Sequence, residues 1–244
     1  MRAADGEAPL TARAVAWGGA LLFVYSLSFF LYSYAVTFGE SHPLPPPEDP
    51  RAPARATIAD VALFTLFALH HSVFARESVR AWVARIVPPY LERSLYVWVA
   101  SALFIAVCAL WQSVPGSAWR IDGVTRWIAI AVQAVGVWLC LHSAAIIDIF
   151  ELSGVRQLSP RAGPMEFKAS GPYGWVRHPI YTGWFLLVFA VPTMTMTRLV
   201  FAVVSCAYLL VAIPFEERSI RAASNGAYDA YARQVRWKLV PGLY

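Results

Sequence analysis

Charge is what this sequence has least of. Only 14% of its 244 residues are Asp, Glu, Lys or Arg, whereas 58% are hydrophobic and the mean hydropathy is +0.52. A water-soluble domain carries about 25% charged residues, so a soluble fold is excluded and a membrane protein implied. Cysteine is scarce too. Cys108, Cys140 and Cys206 all lie inside apolar runs without metal-ligand spacing, and they read as small core residues; no metal site is predicted. No Gly-rich dinucleotide fingerprint follows a strand pattern, which removes a soluble Rossmann-type site. The net charge of +5 is spread over the connections between apolar runs and not gathered in one patch, so it argues for topology signals and against nucleic acid.

What the chain does have is long apolar segments. Residues 14–39 contain no charge, and further runs recur at roughly 57–75, 94–112, 124–147, 180–197 and 199–215. Each is near the ~17 to 25 residues that cross a bilayer as a helix. The fold class is therefore all-α and integral to the membrane, with about six transmembrane helices. The first run is too long for a signal peptide and lacks a small-residue cleavage pattern. Placing both termini in the cytoplasm puts fifteen of the twenty Lys and Arg inside, including Arg161 and Lys168, and leaves Arg51, Arg55, Arg120, Arg126 and Arg198 facing out. Asp60 lies near the outer end of its run, where it reaches toward the interface.

The Pro-rich stretch 39–56 reads as an extended external connector. The loop 76–93 mixes Arg with Trp, Val and Ile at helical spacing, which suits a short amphipathic helix at the cytoplasmic surface. In the last third, two short runs flank Arg198 as a helical hairpin and bring "RHPIY" and "FEERSI" to the same cytoplasmic depth. From Glu216 onward the chain is too polar to span and forms a cytosolic helix, broken near Asn225 and Gly226.

Chemistry gathers at that depth. Pro179 fits the first turn of a helix, whose free N–H groups and positive end suit a carboxylate. Arg177 and Tyr181, four apart, share a face, and Gly183 permits a close backbone approach. Glu216 and Glu217 end the other arm; a carboxylate pair beside an apolar span requires a cation or an Arg partner. These residues fit either a ligand site or an interfacial anchor with its ion-pair partners.

The pattern "GPYGWVRHPIYTG", then "EERSI", then "NGAYDAYARQV", resembles the C-terminal half of the isoprenylcysteine carboxyl methyltransferase and phospholipid methyltransferase superfamily. The resemblance implies a membrane enzyme that binds S-adenosylmethionine from the cytosol. Its cofactor residues by position are Arg177, His178, Pro179, Tyr181, Gly183, Glu216 and Glu217, with Tyr228 and Tyr231 supporting a lid. The stretches "LHHSVFARESVRAWVARIVPPYLER" and "FELSGVRQL" are similar to membrane methanethiol S-methyltransferases, a branch overlapping the NnrU-like proteins. The chain departs from that branch at Asp148 and Ile149, where an Asn-His pair is expected, and at Glu151, which replaces Asp. Two regions follow: 1–147, a four-helix membrane region, and 148–244, an S-adenosylmethionine-binding region.

Methyl transfer from a sulfonium needs an in-line nucleophile about 3 to 3.5 Å from the methyl carbon in a site closed to water. A neutral thiol needs a base or a positive field. His71 is the first candidate base, with His142, Asp148 and Glu151 behind it; the catalytic set is His71, Glu151 and Arg177. The expected acceptor is a small or membrane-soluble thiol such as methanethiol. Rivals are a prenylcysteine carboxylate, a lipid amine, or haem held by His70 or His71 with His142.

Overall fold

In the computed structural model, the residues described are 8–39, 49–74, 76–158 and 170–244. Residues 40–48 of the Pro-rich connector, together with Arg2, Arg161 and Lys168, lie outside them. Among the described residues five helices are long and apolar enough to cross a membrane: α1 (Leu10–Ala35), α2 (Ala52–Phe74), α4 (Pro89–Leu110), α5 (Val124–Ile147) and α8 (Met196–Ala223). Shorter helices are α3 (Glu77–Val83), α6 (Ile149–Ser153), α7 (Pro179–Phe189) and α9 (Ala227–Gln234). Large apolar side chains such as Leu21, Ile58, Leu66, Ile128 and Val211 face outward, an arrangement that lipid stabilises and water does not.

The sixth apolar run departs from expectation. α7 holds only 11 residues, about 16 Å at 1.5 Å per residue, which is half a bilayer core. The chain then runs extended through Pro192 into β2 (Thr193–Thr195), which pairs antiparallel with β1 (Ser117–Arg120). Pro cannot donate the helical bond that continuation would need. The crossing is thus half helix and half extended chain. Its exposed carbonyls find partners: Gln133 Nε2 donates to Leu187 O at 2.9 Å, Trp119 Nε1 to Val191 O at 3.1 Å and the Tyr34 hydroxyl to Val188 O. That is the condition under which irregular backbone survives at membrane depth.

Arg198 does not face out freely. It is 8% exposed, and its guanidinium donates to Tyr34 O (2.9 Å), Ala35 O (2.7 Å) and Thr193 O (2.6 Å), tying the end of α1 to β2. Asp60 is also internal; it is 1% exposed and accepts the Gln112 N–H at 2.8 Å just beyond the end of α4.

An aromatic core joins four helices: Phe30 of α1 lies 4.7 Å from Trp184 of α7, 5.3 Å from Phe201 of α8 and 5.5 Å from Phe104 of α4, ring to ring. α5 crosses α7 at a glycine contact. A Cβ on Gly183 would lie 2.7 Å from Gly136 O, and one on Gly136 would lie 2.6 Å from Leu187 N. At 28 residues, or about 42 Å, α8 outruns the hydrocarbon core, so the stretch expected to begin a separate cytosolic helix is its continuous final turns. The helix stops at Asn225 (φ 47°) and Gly226 (φ 85°), where the chain turns back into α9.

Candidate active site

The end of the bundle where α2 finishes and α4 and α7 begin collects the polar groups. His178 precedes α7 and Pro179 occupies its first position. The backbone ahead of the helix is clasped by the C-terminal tail: Arg177 N donates to Trp237 O and His178 N to Lys238 O, both at 2.9 Å, and the Thr182 hydroxyl donates to Leu239 O at 2.7 Å. Among the described residues, the N–H groups of Ile180 and Tyr181 have no backbone acceptor. An 11-residue helix thus presents free donors and its positive end to this space.

The two adjacent carboxylates have different surroundings. Glu217 is 3% exposed and accepts from Arg177 Nε at 2.8 Å, His178 Nε2 at 3.2 Å and Arg221 Nη2 at 3.3 Å. Arg177 also donates through Nη1 to Val235 O at 3.0 Å and Arg236 O at 2.8 Å. This buried pair therefore joins α8 to the loop before α7 and to the tail, with the desolvation offset by several charge-assisted bonds. Glu216, with a side chain 44% exposed, accepts the Tyr181 hydroxyl at 2.7 Å. Its charge also acts on the hydroxyls of Tyr96, Tyr173 and Tyr208. It is the accessible anion of the site.

α9 covers one side. Tyr228 and Tyr231 are both buried; Arg221 lies over the Tyr228 ring at 5.5 Å and bonds Asp229 at 3.1 Å. The Tyr231 hydroxyl donates to Tyr173 O at 2.9 Å. Burial, partly offset by the Arg177 charge and reinforced by Glu217, pushes that hydroxyl up to about 12, so it keeps its proton at neutral pH.

Across from this cluster, His71 near the end of α2 is bound by Tyr96 of α4, whose hydroxyl lies 2.7 Å from its Nδ1. Tyr208 of α8 meets Ser72 at 2.9 Å. Glu151 lies on α6 and accepts from Gln157 Nε2 at 3.0 Å. Asp148, at φ 98°, caps that helix by accepting the Phe150 N–H at 2.9 Å. The neighbouring Leu152 O accepts from Arg93 at 3.5 Å.

The expected residues thus fall into groups. Arg177, His178, Pro179, Tyr181, Glu216 and Glu217 come together. Gly183 lies one turn further along, against Gly136 and Cys140 of α5. His71 belongs to the α2–α4 side and Glu151 to α6. His142 stacks on Trp138 at 5.0 Å, and His70 on Phe74 at 4.7 Å. Sequence reasoning overlooked Arg93, Tyr96, Tyr208 and the tail carbonyls. Arg93 and Tyr96 are three apart on a helix face, a spacing visible in the sequence, but there Arg93 reads only as one of the fifteen cytoplasmic topology charges. The tail carbonyls carry no side-chain signal.

The isoprenylcysteine carboxyl methyltransferase (ICMT) family model matches residues 162–222. A methanethiol S-methyltransferase of Crocosphaera subtropica is 36% identical over 88% of this chain and 88% of its own length. One from Mycobacterium tuberculosis is 35% identical over 91% of this chain and 93% of its own. Methanethiol S-methyltransferase 2 of Bradyrhizobium diazoefficiens is 33% identical over 90% of this chain and 86% of its own length. No solved structure matches the chain.

Proposed function

The chain belongs to the methanethiol S-methyltransferase family, within the isoprenylcysteine carboxyl methyltransferase superfamily, and is an integral membrane methyltransferase; from that premise we propose that it uses S-adenosylmethionine to methylate a small thiol, converting methanethiol to dimethyl sulfide. The observation that carries this reading is the accessible Glu216 carboxylate, bonded to Tyr181 beside the free N-terminus of α7.

These groups suit a zwitterionic donor that also bears a sulfonium. The unpaired amides opening α7 match a carboxylate, and Glu216 with the nearby tyrosines matches cationic groups. When bound, S-adenosylmethionine supplies a methyl group activated by positive sulfur. Arg177, His178 and Glu217 fix the loop and tail that shape the donor site; Pro179 starts the helix, Tyr181 orients Glu216, and Gly183 sets α7 against α5. Contact with positive charge falls to Glu216, because Glu217 is already saturated by three donors. The donor side is thus drawn from residues 148–244.

From 1–147 comes the acceptor side, where His71 removes the thiol proton. Glu151, on α6, supports that side through the α6 segment bonded to Arg93. The distribution of Lys and Arg supports cytoplasmic termini and donor entry from the cytosol, while a small apolar thiol reaches the site through water or lipid.

The test is headspace measurement of dimethyl sulfide from purified protein given S-adenosylmethionine and methanethiol. Release at a catalytic rate is expected. Donor binding without release would move the acceptor to a larger thiol, a prenylcysteine carboxylate or a lipid, and absence of donor binding would overturn the site.

A further inference from the structure

We propose that Arg93 and Tyr96 complete, with His71, an acceptor subsite that binds a thiol, strips its proton and holds the thiolate; this rests on the reading of the chain as a thiol methyltransferase. Four observations converge on it. The Tyr96 hydroxyl lies 2.7 Å from His71 Nδ1 and 3.5 Å from His71 O. The Arg93 guanidinium sits 4.8 Å above the Tyr96 ring. His70 stacks on the same ring at 5.7 Å, holding its plane. Finally, Arg93 Nε is buried with no hydrogen-bond partner, and among the described residues Arg93 has no carboxylate partner; its one bond, at 3.5 Å, reaches Leu152 O.

A buried N–H left unpaired on a half-buried cation is costly unless a ligand completes it. The groups around it narrow the ligand. Glu216, which accepts the Tyr181 hydroxyl at 2.7 Å and whose charge reaches Tyr96 and Tyr208, belongs to the donor side. A permanently anionic acceptor would be repelled by Glu216 on the way in, whereas a neutral thiol enters uncharged and becomes an anion only beside Arg93. The assigned natural substrate class is therefore a small thiol that is neutral in solution.

Tyr96 occupies Nδ1 and leaves Nε2 without a partner among the described residues. In the tautomer the proposal assigns, Nδ1–H is donated to the phenol oxygen, the phenol hydrogen turns toward His71 O, and Nε2 keeps its lone pair. The thiol S–H proton passes to Nε2. The thiolate, held by Arg93, attacks the methyl carbon: a new S–C bond forms as the methyl–sulfonium bond breaks, and that bond's electron pair stays on the departing sulfur. An anion and a cation thereby become two neutral thioethers, and the imidazolium returns its proton to water.

The experiment compares wild type with Tyr96→Phe, His71→Gln and Arg93→Gln in the full chain, measuring S-adenosylmethionine binding, and kcat and KM with methanethiol and with methaneselenol, whose selenol is already ionised at neutral pH. Tyr96→Phe and His71→Gln are expected to lower kcat/KM for the thiol by about 10² to 10³-fold, as loss of a positioned base does, and for the selenolate by no more than about threefold, a split that structural damage does not produce. Arg93→Gln is expected to raise KM for both acceptors by about tenfold, with donor affinity unchanged in all three variants. Equal losses on both acceptors, or thiol turnover unaffected in a wild-type-active system, would overturn the subsite alone. A wild type that binds donor but methylates neither acceptor would overturn the small-thiol reading and the subsite with it. Should Tyr96→Phe fold poorly, His71→Gln decides by the same split.

Discussion

Glu216 and Glu217 are neighbours in sequence with opposite environments, and the contrast is testable. Glu216→Gln removes an accessible charge, so the melting temperature in detergent should stay nearly unchanged while the dissociation constant for S-adenosylmethionine rises by about tenfold or more, the scale of one lost charge interaction. Glu217→Gln removes the acceptor shared by Arg177, His178 and Arg221; disrupting such a buried pair costs about 3 to 5 kcal/mol and should lower the melting temperature. Equal effects of the two substitutions would refute this division. Tyr231 adds a pH test. Its hydroxyl rises from an ordinary 10 to about 12 on folding, so its contribution to docking α9 is complete below about pH 10 and fades as pH climbs through about 12. Limited proteolysis of the C-terminal region should therefore be flat from neutral pH to about pH 10 and accelerate above it. The residue types of this site were legible in "RHPIY" and "FEER". Their division of labour was not, because neighbouring carboxylates differ only in what three-dimensional packing places around them.

Elements impose their own demands. The α5–α7 crossing depends on Gly136 and Gly183, where an added Cβ would meet backbone atoms at 2.6 to 2.7 Å. Gly183→Ala should cost about 1 to 3 kcal/mol, read as a lower melting temperature, because backbone cannot move aside as a flexible side chain does. The half-extended crossing depends on side chains from other helices: Gln133→Leu leaves the Leu187 carbonyl without its partner, a loss of about 1 to 3 kcal/mol. A hydropathy run cannot distinguish a helix of full length from a half helix followed by buried strand, since both are equally apolar. Pro192 and the Thr residues after it were the available sign. The continuous α8 was hidden for the converse reason: its last turns are polar, yet a helix continues past the membrane surface wherever nothing breaks it before Asn225 and Gly226.

At the scale of the whole molecule, the β1–β2 pairing returns the half-helical crossing to the same end as the start of α5, so the number of crossings stays even. Cysteines introduced near Leu10 and near Leu243 should therefore label from the same side of sealed vesicles, and labelling from opposite sides would refute that parity. The sequence by itself determined the membrane character, the helical class and the grouping of Arg177, His178, Tyr181, Glu216 and Glu217 at one end, because these follow from apolar length and from counting residues at a fixed rise along helices. Only the tertiary structure decided which carboxylate is accessible, that Arg198 clamps the end of α1, that the tail carbonyls hold Arg177, and that Arg93 and Tyr96 meet His71. Those contacts join residues remote in the chain. Their partners are largely backbone oxygens and ring faces, which every residue or many residues possess, so nothing in the local sequence marks the ones that will be used.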